Sequence, residues 1–413
     1  MNRKTLFLLL LLCPALLAAQ DNKPRIRVGG MLFFATYYDS YKSVDNRAGV
    51  SYSFPLPPDY DPDGKDLNEA SQFGMSVYQS RFHITAEDFR LLNAEAKIFI
   101  ETDFMGAGKE FCQMLRLRHA YADLRWKKDE LLLGQTNNLM VAEEVIPGVL
   151  TAGMASPIMP LSRPVLLRYG RQLGTRLKLY AGAAYHTAMP FIGNAAVPST
   201  LEAQRNAGYP DFHARLQYTV PGKLFIGVAG GYKMLRPRLK TEEEYRADAT
   251  VGSGDVTAFL RWNFGRGWTF KAQGMYGGNL SCYNMIGGYG KLLGEPDDSD
   301  YGYTNLLSYS VWIDLESKAA KNFRLGLFAG YMENLGSVEP VDKEVVYART
   351  PDLSASGRIS PRVTYTWKGL LIGAEYSLFT ADWGRMFDEY YLSTLNYETV
   401  KNNRVTLLFR YSF

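Results

Sequence analysis

Along residues 404–413, apolar or aromatic side chains fall at every second position: Val405, Leu407, Phe409, Tyr411 and Phe413. Between them lie Arg404, Thr406, Leu408, Arg410 and Ser412, all polar except Leu408. In an extended strand a period of two puts the two sets on opposite faces. The alternation recurs along most of the chain in segments of roughly 9 to 14 residues. Over 92–104 the set Leu92, Ala94, Ala96, Ile98, Ile100, Thr102 and Phe104 opposes Asn93, Glu95, Lys97, Glu101 and Asp103, with Phe99 the exception. Over 254–264 Val256, Ala258, Leu260, Trp262 and Phe264 oppose Asp255, Thr257, Arg261 and Asn263. Over 322–332 Phe323, Leu325, Leu327, Ala329 and Tyr331 oppose Arg324, Gly326 and Gly330.

Counting such segments predicts sixteen strands, at 26–40, 73–86, 92–104, 113–126, 129–136, 164–172, 175–187, 210–220, 223–234, 254–264, 266–277, 303–317, 322–333, 354–367, 369–380 and 400–413. Their connections alternate in length. Short ones read Val220-Pro221-Gly222-Lys223, Phe264-Gly265-Arg266-Gly267, 318–322 and 367–369, whereas longer ones cover 41–72, 105–112, 137–163, 188–209, 235–252, 278–302, 334–353 and 381–399. Short turns at one end and long loops at the other predict an all-β fold, a transmembrane antiparallel barrel with short periplasmic turns and long extracellular loops. A secreted soluble β-protein is the alternative, with more even loops and strands nearer ~6 residues. A barrel of this strand number is expected to enclose water rather than a packed core.

Composition fits that reading. Tyr 28, Phe 22 and Gly 38 are abundant while charged residues make up only 21%. Met1-Asn2-Arg3-Lys4 followed by the apolar run Leu6–Leu17 and the small pair Ala18-Ala19 predicts a signal peptide over 1–19, cleaved before Gln20. Leu12 before Cys13 is too bulky for the usual lipidation site. Residues 20–413 then form a single barrel domain. Losing Arg3 and Lys4 takes the formal charge from +4 to +2, which argues against nucleic acid as a partner. No later stretch is long and apolar enough for a transmembrane helix. Cys112 and Cys282 are too few for a disulfide framework, and whether they pair stays open.

The strand register sorts the charges. It turns inward Arg81, Lys97, Arg116, Arg118, Arg168, Arg176, Lys178, Arg215, Arg261, Lys271, Arg324, Arg358, Arg362, Arg404 and Arg410. Inward acids are Glu95, Glu101, Asp103, Asp255, Asp314, Glu316 and Glu375, fifteen bases against seven acids. Such a wall favours anions, because arginine offers paired donors to carboxylate and phosphate. Residues 137–163 are more apolar than an exposed loop should be, so they are a candidate constriction loop folded into the lumen. Glu143 and Glu144 would then face the basic wall; external contacts between copies are the alternative.

Asp61-Pro62-Asp63-Gly64-Lys65-Asp66 has the look of part of a calcium loop, but its sixth position is Asp66 rather than Gly and its twelfth is Gln72. Glu295-Pro296-Asp297-Asp298-Ser299-Asp300 reads as acidic loop surface. His83, His119, His186 and His213 show no zinc spacing, and His119 is the clearest outward histidine, without an evident serine neighbour. No catalytic residue, cofactor or metal is expected.

Four stretches carry a resemblance: Gln79–Ile84, Leu115–Leu124, Leu132–Asn137 and the acidic Ile100–Phe104. They resemble the DcaP-like porins, trimeric sixteen-stranded outer-membrane channels near the phosphate-selective porins, specifically over 73–140. The final Phe413 resembles the terminal-strand signal of outer-membrane barrels. The resemblance implies a homotrimeric porin of the bacterial outer membrane, passing small anionic solutes such as dicarboxylates, with Arg116 and Arg118 in the family motif. Two departures stand out: no N-terminal coiled coil precedes the first strand, and Thr136-Asn137-Asn138 lacks a nearby aromatic. Outer-membrane lipid and lipopolysaccharide are the implied surroundings. Other readings are a non-selective diffusion porin, a lipase-type barrel enzyme and an adhesin.

Overall fold

The computed structural model describes residues 23–44, 54–106, 112–188, 191–193, 199–318 and 320–413. The expected signal peptide at 1–19 lies outside them. Sixteen strands form the wall. They are β1 (Arg25–Asp39), β2 (Gln72–Ser76 continued by Arg81–Leu91), β3 (Ala94–Asp103), β4 (Arg116–Arg125), β5 (Asp129–Gln135), β6 (Val165–Gln172), β7 (Leu177–Tyr185) and β8 (Asp211–Val220). There follow β9 (Leu224–Leu235), β10 (Val251–Phe264), β11 (Trp268–Gly278), β12 (Tyr303–Lys318), β13 (Phe323–Ser337), β14 (Leu353–Trp367), β15 (Leu370–Phe387) and β16 (Val400–Ser412). Each pairs antiparallel with its sequence neighbours, and β1 pairs with β16 to close the barrel.

The pleat decides which face meets lipid. On β16 Leu407 is 55% exposed while Arg404 is 2% exposed, so the apolar set points outward and the polar set inward. The same parity turns Ile98 and Ile100 outward on β3, and Leu325 and Leu327 outward on β13. Aromatic rings cluster near the short turns, with Trp262, Phe264 and Trp268 at successive centroid distances of 4.6 and 6.2 Å, and Phe323 and Tyr365 at 5.0 Å. Tyr232 and Trp262 mark opposite edges of the belt on β9 and β10. Tyr232 pairs with Gly254, eight residues up the strand from Trp262. That is ~27 Å of strand, or ~20 Å of bilayer at a tilt of ~40°, near the height of an apolar barrel belt.

Turns follow local chemistry. Lys368 and Gly369 both have positive φ, +44° and +42°, which matches the right-handed twist of the hairpin. Leu92 and Asn93 do the same at +54° and +60°, so a turn lies where sequence pattern began a strand at 92. A leucine there carries no turn signal. β2 is interrupted at 77–80, where Ser80 replaces a ladder residue: its hydroxyl accepts from Phe33 N–H at 3.0 Å and donates to Phe33 C=O at 3.3 Å. The interruption shifts parity, turning Phe73 and Met75 outward before it and Phe82 and Ile84 after it.

The interior departs from the expected watery lumen. Inward-facing Phe225, Phe259, Met275, Trp312, Phe328 and Met332 are buried in one cluster with Met140, Val141, Val145, Ile158 and Met159 of the 137–163 segment. Strands β9 to β13 are apolar on both faces over these stretches. A wall of that kind leaves apolar surface to water unless loops cover it. The covering loops bring secondary structure of their own, including the strands Gly287–Leu292 and Val341–Arg349, which pair, and α1 (Glu202–Ala207).

Candidate functional site: a basic lumen crossed by an internal segment

Residues 137–163 leave β5, cross the barrel and return to β6, held by wall side chains. Lys271 Nζ donates to Ile146 C=O at 2.7 Å, and Gln273 Nε2 to Met140 C=O at 3.0 Å. Gly148 N–H donates to Asp314 at 3.0 Å, and Leu150 N–H to Glu375 at 2.9 Å, both on the far wall. Gly148 passes so close to the Arg362 guanidinium that a Cβ there would lie 2.4 Å from its Nη2. Its backbone polar groups thus find partners away from water. Glu143 accepts from Asn137 Nδ2 at 2.6 Å, and Glu144 pairs with Arg215 at 3.2 Å.

Beside this segment, β2, β3 and β4 bring Arg81, Arg116 and Arg118 together. Arg116 grips Asp103 through Nε at 2.9 Å and Nη2 at 2.6 Å. Arg118 bridges Glu101 at 2.7 Å and Asp103 at 2.9 Å, and Arg81 lies 3.8 Å from Glu101. The register slips between Glu101 and Thr102, so Arg118 and His119 both face one residue of β3. That bulge turns His119 inward rather than outward: its Nδ1 lies 2.9 Å from Thr136 Oγ1, and its ring 6.1 Å from Phe99. Arg163, absent from the sequence reading, joins the group at the end of the crossing segment. It makes no ion pair among the described residues, and its Nε has no hydrogen-bond partner. Burial first, then the charges of Arg118, Arg116 and Arg81, pull its proton affinity well below the usual guanidinium value.

Two cavities flank the segment. One, of about 400 Å³, is lined by Arg125, Lys127, Lys128, Arg168, Lys178 and Arg215, against Asp123, Asp129, Glu130, Glu143 and Glu144. Six cations face five acids there, and they pair: Lys178 Nζ lies 2.5 Å and Arg168 3.3 Å from Glu130. The other, of about 420 Å³, carries Arg81, Arg324 and Arg410 against Glu316 alone. Arg410 makes no ion pair among the described residues.

Two expected lumen residues stand elsewhere. Arg176 is exposed at the turn before β7 and donates to Tyr218 OH at 3.1 Å, at the rim rather than in the pore. The strand begins at Leu177, two residues later than the expected 175, so no ladder fixes the direction of Arg176. Lys97 faces inward, 5.2 Å over the Phe99 ring, yet lines neither cavity. The fifteen-to-seven balance also overstates the bias, because Asp39, Asp123, Glu130 and Asp211 were not counted. Asp39 binds Arg404 at 2.6 Å, and all four are buried. Arg358 and Arg362 are likewise neutralised, by Glu375 and Asp314, each at 2.7 Å. The calcium-like loop is closed by its own backbone. Asp61 accepts from Asp63 and Lys65 N–H at 2.9 and 2.8 Å, and Asp66 from Tyr41 OH at 2.5 Å. Cys112 and Cys282 are not joined to each other.

No protein-family model matches the chain, and no curated protein matches it in sequence. Solved structures do. The outer membrane channel DcaP of Acinetobacter baumannii superposes with a TM-score of 0.70 at 17% identity, covering 95% of this chain and 98% of that one. An anion-selective porin from Comamonas acidovorans gives 0.57 at 10% identity, covering 95% and 100%. The outer membrane protein OmpT of Vibrio cholerae, in its trimer form, gives 0.54 at 10% identity, covering 95% and 100%. The chain therefore has the sixteen-stranded barrel fold of outer-membrane porins.

Proposed function

We propose that this barrel is a passive outer-membrane channel for small anionic solutes, dicarboxylates or similarly sized anions, and that it carries out no covalent chemistry. The observation that carries the reading is the charge on the two cavities. Three guanidiniums meet one carboxylate on the Arg81–Arg324–Arg410 side, and six cations meet five acids on the other. A paired cation offers little to a passing ion, whereas an excess cation raises the local anion concentration. Arg163, which makes no ion pair among the described residues, backs the excess from behind Arg81. Exchange among several weak sites lets the solute leave again. Glu143 and Glu144 oppose this field from the crossing segment, which would act as the constriction. A homotrimer embedded in lipid and lipopolysaccharide is part of the same reading, supported by the trimer form described for one structural neighbour.

Reversal potentials in a potassium chloride gradient across planar bilayers test the proposal. The wild type should prefer chloride, and Arg410→Gln, which removes a cation with no ion-pair partner among the described residues, should lower that preference severalfold. Arg168→Gln, whose charge is already met by Glu130, should change it little. A cation-preferring or unselective wild type would overturn anion selectivity, and absence of conductance would overturn the channel itself.

A further inference from the structure

The lumen holds a second polar cluster, next to Arg163 along the chain, in which four stretches of chain converge. His186 follows β7, Asp211 opens β8, Cys282 lies in the short turn of helix Leu280–Tyr283, and Ser162 ends the crossing segment. His186, Asp211 and Cys282 are fully buried, and each offers a ligand atom within 4.8 Å of the other two. Their outer contacts are ordered. His186 Nδ1 lies 3.1 Å from Ser162 Oγ, which fixes the ring and leaves Nε2 to face inward. Asp211 Oδ1 accepts from Gln204 Nε2 at 3.2 Å, and Gln204 Oε1 in turn accepts from His186 N–H at 3.1 Å. One nitrogen of the imidazole and one oxygen of the carboxylate are thus held by neighbours.

The other two atoms face each other. His186 Nε2 and Asp211 Oδ2 lie 3.0 Å apart, an ion-pair distance without an aligned hydrogen bond, and both are sealed from bulk water. A buried pair of this kind is costly unless its remaining capacity is met. A cation between them and the Cys282 sulfur meets all three at once. One imidazole nitrogen, one carboxylate oxygen and one thiolate form a donor set suited to zinc, and the imidazole and the carboxylate each carry an orienting outer partner.

We propose that His186, Asp211 and Cys282 bind a zinc-class divalent cation that clips the loop after β7, the start of β8 and the loop after β11 together inside the barrel. Cys282 ligates as thiolate, its proton released to solvent as the metal binds. The ion anchors the top of the crossing segment as well, because Leu161 N–H donates to Tyr283 C=O at 2.8 Å, one residue from the sulfur ligand. Binding energy at such a clip is also folding energy. The contact order Ser162, His186, Asp211 resembles a nucleophilic triad, but all three are buried away from any substrate.

The full barrel, refolded in detergent with zinc or cobalt(II) as sole divalent metal in a Cys112→Ser background, tests the site. About one metal per chain is expected, with the near-ultraviolet absorption of a cobalt–thiolate bond. Cys282→Ser should abolish that absorption, and Asp211→Asn should lower metal retention at least tenfold while conductance persists. If either variant does not fold, the cobalt spectrum of the Cys112→Ser barrel decides alone. Absence of the thiolate band, or its survival in Cys282→Ser, overturns the proposal. An unselective or non-conducting barrel with the band intact would fail the channel reading and leave the metal site standing.

Discussion

Each lumen arginine matters according to what it is paired with. Arg362 is buried against Asp314 at 2.7 and 3.0 Å, and Glu316 lies 3.4 Å away. Arg362→Gln would leave a buried carboxylate uncompensated, at a cost of about 3–5 kcal/mol. Arg163 has no carboxylate to orphan, so Arg163→Gln should leave thermal stability unchanged or slightly higher while lowering anion preference. Heat-modifiable gel mobility and reversal potential, measured on both variants, separate the two roles; equal destabilisation by both would refute the distinction. Sequence alone reached Arg81, Arg116 and Arg118, because parity in a regular strand fixes where a side chain points. Arg163 was missed, since it sits on a loop where no period operates. His119 was misplaced for a related reason: one extra residue at a bulge reverses the face. The cluster of His186, Asp211 and Cys282 spans nearly a hundred residues of sequence and shows no local spacing.

Among the elements, wall strands were legible to within a few residues at most ends, with β15 running seven residues past the expected 380, and the crossing segment only in part. Apolar residues such as Met140, Val141 and Val145 announce a segment that shuns water, but its counterpart lies on strands whose inward face was expected to be polar. Adjacent pairs such as Phe225-Ile226, Phe259-Leu260 and Trp312-Ile313 break strict alternation. They are the signal for an interior that something covers. The segment's position is set by close approach at Gly148, where a side chain would collide with Arg362. Gly148→Val should push the segment off β14 and raise single-channel conductance. An unchanged conductance would mean that the segment does not limit flow. Glu143→Gln with Glu144→Gln keeps the segment's shape but removes its charge and frees Arg215. Anion preference should rise at constant conductance, and unchanged selectivity would remove the two carboxylates from the constriction.

For the whole molecule, a near-neutral chain becomes a polarised object only through closure, which sets one face of every strand against lipid and the other inside. Closure is made where the last residues meet the first: Phe413 N–H donates to Gly30 C=O and Gly30 N–H to Phe413 C=O, each at 3.0 Å. Here Gly30 is required by space. A Cβ would lie 2.5 Å from Arg81 C=O and 2.9 Å from the Phe413 ring, so a side chain would wedge β1 away from both its neighbours at once. An unclosed barrel exposes two strand edges to hydrocarbon, where unmet backbone groups are costly. Gly30→Val should therefore sharply reduce the yield of folded, heat-modifiable barrel on refolding into detergent. Gly174→Val, at a turn where a Cβ meets nothing within 4 Å, should refold like the wild type. Equal refolding of both variants would show that closure tolerates a side chain at this seam.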